Sequence, residues 1–572
     1  MSSSATTLEA GRREPRSWRG VALCATPILG FAIFFSERLF VRPTLSWVLA
    51  VLVWSVAAAL AAAWLLRRGA TDLLPWVDRH ATTLVIGMMV TAAVVAIVVN
   101  VVQAQWFAMG MRSRDHAYYT QILWNTLQGH ILAGNLNQEV LFRPPVSSDY
   151  ALHVSPILLV GVLPLYALAP HFLTLLIIRD VAMAAAAWPV YLLGREKLGR
   201  PAGVAAAALF FLNPAVMAQA FQEFTPLQLA PLPFFLALLA FSRERFGGFV
   251  GWMALAMTMR EDVAVTMAGF GLWALATRRP WRWSLAGFGL PVAWWGISTL
   301  AIQPAFGRWG NNISEIAIAS GQRASGGHNI SEIAQAGERA ASWGIYQILD
   351  PTRALEVLRD GGLHYVYVML RSVAFLPVTG LEGLLAAPVV AANLFYGAMS
   401  HEGIEPTSRL ALLPSCALIG AAVLAVTRLA GAIKGDRQVV AIILLCLLPS
   451  ASLLDGTKDT VQEGWTTYTL HNDRAALREA LQLIPATASV AAPSYALPAL
   501  ANRARLFNLP QLHLYPDGNA DYILIDHDLD RVTASPNLKP RYAALVERLS
   551  RSSDYQTVWQ RSDYALLRRV SP

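Results

Sequence analysis

The chain has 572 residues, of which 55% are hydrophobic and 14% charged, and its mean hydropathy is +0.43. These values exclude an ordinary soluble enzyme and place the chain among polytopic membrane proteins. The formal charge of +8 collects in clusters between apolar runs, at Arg12/Arg13/Arg16/Arg19, Arg67/Arg68, Arg195/Lys197/Arg200 and Arg278/Arg279, a pattern of cytoplasmic connections and not of a nucleic-acid-binding face.

A basic N-terminus precedes the first apolar run with no small-residue cleavage site after it, so a retained span with a cytoplasmic N-terminus is expected. Runs near 20–40, 44–66, 81–102, 172–194, 202–221, 227–242, 247–259, 263–277, 283–302, 363–378, 382–398, 408–427 and 438–453 predict about 13 transmembrane helices. Counting from inside, this parity puts the basic connections in the cytoplasm, in agreement with the positive-inside rule. Cys24, Cys416 and Cys446 all lie in apolar runs, which excludes a disulfide framework and a cysteine metal site.

The run from His153 to Ala169 holds Pro156 and Pro164 and is short for a crossing, so it is read as an interfacial or re-entrant helix. Residues 103–171 then form one outer loop, and long ordered loops of this kind are usually functional. Within it, 112–130 reads as a helix with Tyr119, Ile122, Leu123 and Leu127 on one face and Gln121, Asn125 and Gln128 opposite. Asp115 lies one turn before Tyr119, flanked by Arg112 and Arg114.

A second outer loop, 303–362, carries Asn312-Ile-Ser-Glu-Ile-Ala and again Asn329-Ile-Ser-Glu-Ile-Ala, two copies being too few for a solenoid. Hydropathy falls after Leu453. The division is therefore a membrane domain, 1–453, and a small extracytoplasmic α/β domain, 454–572, with helices near 472–484 and 538–550 and strands at 488–492, 505–508, 522–526, 556–560 and 564–568. Asp526-His527-Asp528 ends a strand, either as a turn or as a metal ligand run.

An ionisable group at mid-membrane costs about 2.5–3.5 kcal/mol on insertion scales and needs a partner, a wet cavity or a function. With the topology above, Asp115, His153, Glu223 and Arg260-Glu261-Asp262 all fall at the outer ends of spans. Taken singly, each reads equally as a solvated turn or interfacial group; their shared side is what one outward-facing site requires. Arg179 and Asp180, adjacent within a span, read as a structural or snorkelling pair, and Arg371 as a structural partner or a lipid-phosphate ligand.

The order Asp115-His-Ala-Tyr-Tyr-Thr-Gln-Ile-Leu-Trp124-Asn125, His153-Val-Ser-Pro156, Glu223-Phe224-Thr-Pro226, Arg260-Glu261-Asp262-Val263 resembles a family of bacterial polytopic membrane proteins that carries a domain-of-unknown-function label. That family is similar to the glycosyltransferase-C superfamily. The resemblance implies a glycosyltransferase-C-like membrane domain that moves a sugar from a polyprenyl-phosphate donor to a glycan, lipid or protein acceptor on the outer face of the bacterial cytoplasmic membrane. It makes Asp115 the base or the orienter of the acceptor. The chain departs from the pattern at Gln222-Glu-Phe-Thr-Pro226, which lacks a histidine, and at Ser408-Arg409-Leu410, which lacks a His-Tyr pair.

The residue inventory fits that chemistry. Asp115 supplies a base, Arg260 with Arg112, Arg114 or Arg143 holds a phosphate through planar donor forks, and Glu223, Glu261 and Asp262 orient hydroxyls or bind a divalent ion. Tyr118, Tyr119 and Trp124 stack on sugar or anchor the loop, with Asn125 and His153 as further substrate contacts. The alternatives are a transporter or flippase whose charges line a path, and a non-catalytic relative that binds lipid-linked glycan.

Overall fold

The computed structural model describes residues 73–106, 113–136, 147–148, 153–306, 359, 362–400, 408–432, 473–509, 519–532 and 538–570. The expected spans 20–40, 44–66 and 438–453, the 303–362 repeat, Cys24, Cys446, Arg112 and Arg143 lie outside the described residues or, for the 303–362 loop, almost wholly so.

Helix α1 (Leu73–Trp106) is a continuous apolar run, and its exposed Ile86, Val90, Val94 and Val98 recur every four residues as an apolar stripe that the other described residues leave uncovered. Among the described residues, Pro75–Gln105, Phe172–Glu196, Trp281–Ala305 and Arg409–Ala430 are long and apolar enough to cross a membrane. A fifth joins them if the bent pair Arg200–Leu212 and Pro214–Phe221 is one span. The chain is thus a helical membrane protein.

Two predicted spans take a different form. The run 202–221 bends by 52° at Asn213-Pro214, because Pro214 has no N–H for the ladder and the Asn213 side chain accepts the Ala215 N–H at 3.1 Å instead. The run 363–378 ends its helix at Arg371, and Ala374 and Phe375 then adopt left-handed φ of 50° and 55°, so Arg371 closes a helix and is not at mid-span.

Helix α4 (Phe172–Leu198), α7 (Pro226–Ser242), α8 (Phe246–Met257) and α9 (Val263–Ala276) run up and down between two ends. At one end Arg243 donates to Glu196 at 2.8 Å, and the Arg279 guanidinium lies 4.2 Å from the Phe241 ring centroid and 5.0 Å from that of Trp283. The turn 258–262 between α8 and α9, and the turn 222–225 before α7, therefore lie at the opposite end. Helix α9 packs on α10 (Trp281–Ala305) through Gly271 and Gly287; a Cβ on Gly287 would stand 2.4 Å from the Gly271 nitrogen, so both positions need glycine.

Two turns into α4, Arg179 and Asp180 are both buried. Arg179 Nε and Nη2 donate to Asp180 Oδ1 at 2.9 and 2.8 Å, Asn100 Nδ2 donates to Asp180 Oδ2 at 2.6 Å, and Arg179 Nη1 donates to the Gln222 carbonyl. This is the structural-pair reading, with a further reach to the turn before Glu223. Asp180→Ala leaves the guanidinium buried without its carboxylate and is expected to cost about 3–5 kcal/mol. Thermal unfolding in detergent checks this; an unchanged midpoint removes the pair from the fold's support.

The segment 473–570 contains the predicted mixed elements. Strands β3 (Val490–Ala492), β4 (Leu506–Asn508), β5 (Tyr522–Asp526), β6 (Tyr555–Arg561) and β7 (Tyr564–Arg569) form one sheet in the order β4-β3-β5-β7-β6, parallel among β3, β4 and β5 and antiparallel at β7. Alternation sorts the side chains. Ala491, Phe507, Ile523, Ile525 and Leu567 pack on Tyr542, Leu545 and Leu549 of the helix Leu538–Arg551. Val490, Ala492, Leu506, Leu524 and Leu566 join the core that continues into the apolar helices. Asp526 is buried and takes Arg531 Nε at 3.0 Å, Nη2 at 2.8 Å, the Tyr495 hydroxyl at 2.6 Å and the Asp528 N–H at 2.9 Å. The Asp-His-Asp run is a strand-end turn in which Asp526 is already satisfied.

Candidate functional site

Helix α2 (Ser113–Leu127) begins with Asp115 in its first turn, where a carboxylate meets the positive end of the helix dipole. Its Tyr119, Ile122 and Leu123 are buried, as the spacing predicts, while Leu127 is exposed. The opposite, amide face differs from expectation. Gln121 and Asn125 are buried and hydrogen-bonded: Gln121 Nε2 donates to Asn135 Oδ1 at 2.8 Å, and Asn125 Nδ2 donates to the Ala133 carbonyl at 2.8 Å. Asn125 supports the hairpin of β1 (Ala133–Gly134) and β2 (Ser147–Ser148) and does not line the site. Tyr118 is likewise buried, edge-on to Tyr119 with ring centroids 5.4 Å apart, and Trp124 packs partly buried against the core. The buried Tyr118 ring has no open face for stacking on sugar, whereas Trp124 keeps part of its surface exposed.

The Asp115 backbone N–H donates to Glu223 Oε2 at 3.2 Å. Arg409 bridges the two acids: its Nη1 donates to Glu223 Oε1 at 3.2 Å and to Asp115 Oδ2. Arg114 Nε lies 3.8 Å from Asp115 Oδ1. Glu223 is fixed from behind, since Gln228 Nε2 donates to its carbonyl at 3.0 Å, Arg179 holds the carbonyl of Gln222, and buried Phe224 packs edge-on against Tyr119.

The turn between α8 and α9 adds the second half. Arg260 Nε donates to Asp262 Oδ1 at 2.7 Å, and Arg260 Nη2 donates to Asp262 Oδ2. Glu261 is buried, accepts the Val154 N–H at 2.9 Å, and lies 3.0 Å from His153 Nδ1. The halves meet: Tyr119 interacts electrostatically with both Arg260 and Arg409, and His153 with both Asp115 and Asp262. Asp115, Arg114, Tyr119, His153, Glu223, Arg260, Glu261 and Asp262 therefore form one cluster from four separate segments, with 108 residues between Asp115 and Glu223 and between His153 and Glu261.

Arg409 was not among the predicted site residues. Its only signal is an arginine at the start of a late apolar run, at the place where the chain departs from the resembling family. Among the described residues no three His, Cys, Asp or Glu side chains come together as a metal-ligating group.

Electrostatics separate the two acids. Burial alone would raise Asp115, but Arg409 and Arg114 outweigh it and hold the carboxyl down at about 2. Burial, then the Asp115 charge, push Glu223 up to about 8, so it carries a proton at neutral pH while Asp115 is ionised. Asp115, Arg409 and Asp262 remain part-exposed, with 23%, 31% and 41% of their side-chain surface open. The cluster thus holds an ionised acid, Asp115, and a protonated acid, Glu223, on the one guanidinium of Arg409, beside the Arg260–Asp262 pair.

Two crystal structures of ArnT from Cupriavidus metallidurans are similar to this chain. The one bound to undecaprenyl phosphate matches with a TM-score of 0.43 and 12% identity over 83% of this chain and 97% of that one. The apo state matches with a TM-score of 0.42 and 12% identity over 84% and 98%. No curated protein sequence matches the chain. Residues 105–566 match the family described as "Predicted membrane protein (DUF2079)", which takes in α2, the whole charged cluster and the sheet, and the chain belongs to that family.

Proposed function

We propose that the chain is a membrane glycosyltransferase, moving a sugar from a polyprenyl-phosphate donor to an acceptor hydroxyl on the outer face of the bacterial cytoplasmic membrane. The observation that carries the reading is the juxtaposition of Asp115 and Glu223 on the guanidinium of Arg409 at one end of apolar helices. Transfer with inversion needs a base for the acceptor hydroxyl and cations for the departing phosphate, and no proton for the leaving group. The acceptor oxygen bonds to the anomeric carbon, the bond from that carbon to the phosphate oxygen breaks, and the hydroxyl proton passes to Asp115.

While Arg409 is clamped to Asp115, that acid is a weak base. A guanidinium that turns to an incoming phosphate gives the carboxylate back its basicity, so donor binding and base strength are linked. Arg114 and Arg260 supply further positive charge, and protonated Glu223 donates to a sugar hydroxyl or to phosphate. Glu261 holds His153 and the Val154 amide, keeping that wall in place.

The same reading takes residues 1–453 as a membrane domain of about 13 spans and 454–572 as an extracytoplasmic unit. Hydrogen bonds that join 473–506 to the Asp115 end of the helices support it. The basic connections that carry Arg195, Arg243 and Arg279 lie at the other end, which suits a cytoplasmic face.

The test is purified protein supplied with polyprenyl-phosphate sugars and soluble or lipid acceptors. Release of polyprenyl phosphate with sugar on the acceptor is the expected result. Movement of the lipid-linked sugar across liposomes without its cleavage would replace this reading by transport.

A further inference from the structure

The turn between helix Leu497–Leu500 and strand β4 is stiff from within. Arg503 is buried, and its guanidinium is spent on the turn's own frame: Nε donates to the Leu500 carbonyl at 2.6 Å, and Nη1 to the carbonyls of Ala488 at 2.8 Å and Pro485 at 3.4 Å. Three carbonyls tied to one side chain make this a wedge of set shape.

That wedge grips the site from two sides. On one side Gln121 Nε2, from the helix that begins with Asp115, donates to the carbonyls of Arg503 at 3.3 Å and Ala504 at 3.2 Å. Asn135 Oδ1 accepts both Gln121 Nε2 and the Leu506 N–H, at 2.8 and 3.0 Å. The second bond also satisfies a backbone N–H of β4, which is an edge strand of the sheet. On the other side Asn502 holds the segment that follows His153: Tyr166 donates its hydroxyl to Asn502 Oδ1 at 2.9 Å, and Asn502 Nδ2 donates to the Pro170 carbonyl at 2.7 Å. Asn502 thus closes both hydrogen-bonding groups of its amide onto one segment.

From this arrangement we infer that the Leu500–Leu506 turn is a positioning element of the site, setting the Asp115 helix against the His153–Pro170 segment. The two segments carry different halves of the charged cluster, Asp115 on one and His153 with its Glu261 partner on the other. The sheet unit is then a third wall of the site and not an appendage. Coupling of this kind is reciprocal: what orders the site orders the turn. The inference stands on the hydrogen bonds alone and holds whether the site transfers sugar or only binds it.

Amide hydrogen exchange on the full chain in detergent or nanodiscs tests it. Asn502→Ala removes both bonds to Tyr166 and Pro170, and Asn135→Leu removes both accepted bonds. Losing docked contacts worth about 1.4 kcal/mol speeds local opening about tenfold, so each variant is expected to raise exchange about tenfold in 113–127 and 158–168. The helix Leu538–Arg551, remote from the wedge, stays unchanged. Asn135→Asp keeps an oxygen for Gln121 and Leu506 and restores protection. Asn502→Asp keeps the acceptor for Tyr166, loses only the donor to Pro170, and is the milder probe should the alanine variant fail to fold. Unchanged exchange in both segments, a rise spread evenly to Leu538–Arg551, or no rescue by Asn135→Asp overturns the assignment.

Discussion

Asp115→Asn is expected to lower sugar transfer by about 10²- to 10⁴-fold, the range for losing a positioned general base, with little change in the affinity for the lipid donor. The substitution is close to isosteric. An amide oxygen at the same place still accepts from Arg409, and the backbone N–H that donates to Glu223 is untouched, so the geometry of the cluster survives and the proton acceptor does not. Loss in kcat with KM held is therefore the signature. The stability consequence has a definite sign. Asp115 lies below its ordinary value of 3.8, at about 2, so its contribution is present above pH 3.8 and lost as pH falls through 2. The aspartate protein alone should show this acid-side gain near pH 4. Full turnover in Asp115→Asn would take the base role away from this residue.

The parts of this site that could be read from the sequence are those where an ionisable residue interrupts an apolar run. Asp115, Glu223 and Arg260-Glu261-Asp262 announce themselves because each is costly where it stands, and the helix parity puts them at one end. The sheet unit was legible for another reason: short β-branched and aromatic stretches such as Tyr522–Asp526 and Tyr564–Arg569 sit between turn-forming residues, and the observed strands fall within a residue or two of the expected ones. Arg409 was hidden because an arginine opening a span is ordinary, and its partner Asp115 lies 294 residues away. The burial of Gln121 and Asn125 was hidden for the converse reason. An amide face on a helix reads as solvated, and only the return of the chain at Arg503 and Ala504, some 380 residues later, shows what covers it. Local pattern gives a polar face; it does not say whether water or another backbone satisfies it.

Arg409→Gln is the second large effect expected, a loss of about 10²- to 10³-fold in turnover, as for removal of one preorganised electrostatic donor. Lysine is expected to restore it only in part: Nη1 alone meets both carboxylates, which an ammonium can imitate, but an ammonium lacks the planar fork that suits a phosphate. The pH dependence distinguishes this from simple damage. In the native cluster Arg409 lowers both acids. Without it the Asp115 carboxyl rises from about 2, and Glu223, already raised to about 8 by burial and by Asp115, holds its proton to higher pH still. If the working state has Asp115 ionised and Glu223 protonated, both limbs of the pH–rate profile move upward in Arg409→Gln. Stability follows the same sign: the Glu223 contribution is present below its ordinary value of 4.5 and is lost as pH rises through about 8 in the native protein, and at higher pH in the variant. Residual turnover and thermal midpoints measured from pH 4 to 10 check this. Limbs that stay in place, with activity merely reduced, would mean that Arg409 acts on the substrate alone and does not set the protonation of the acid pair.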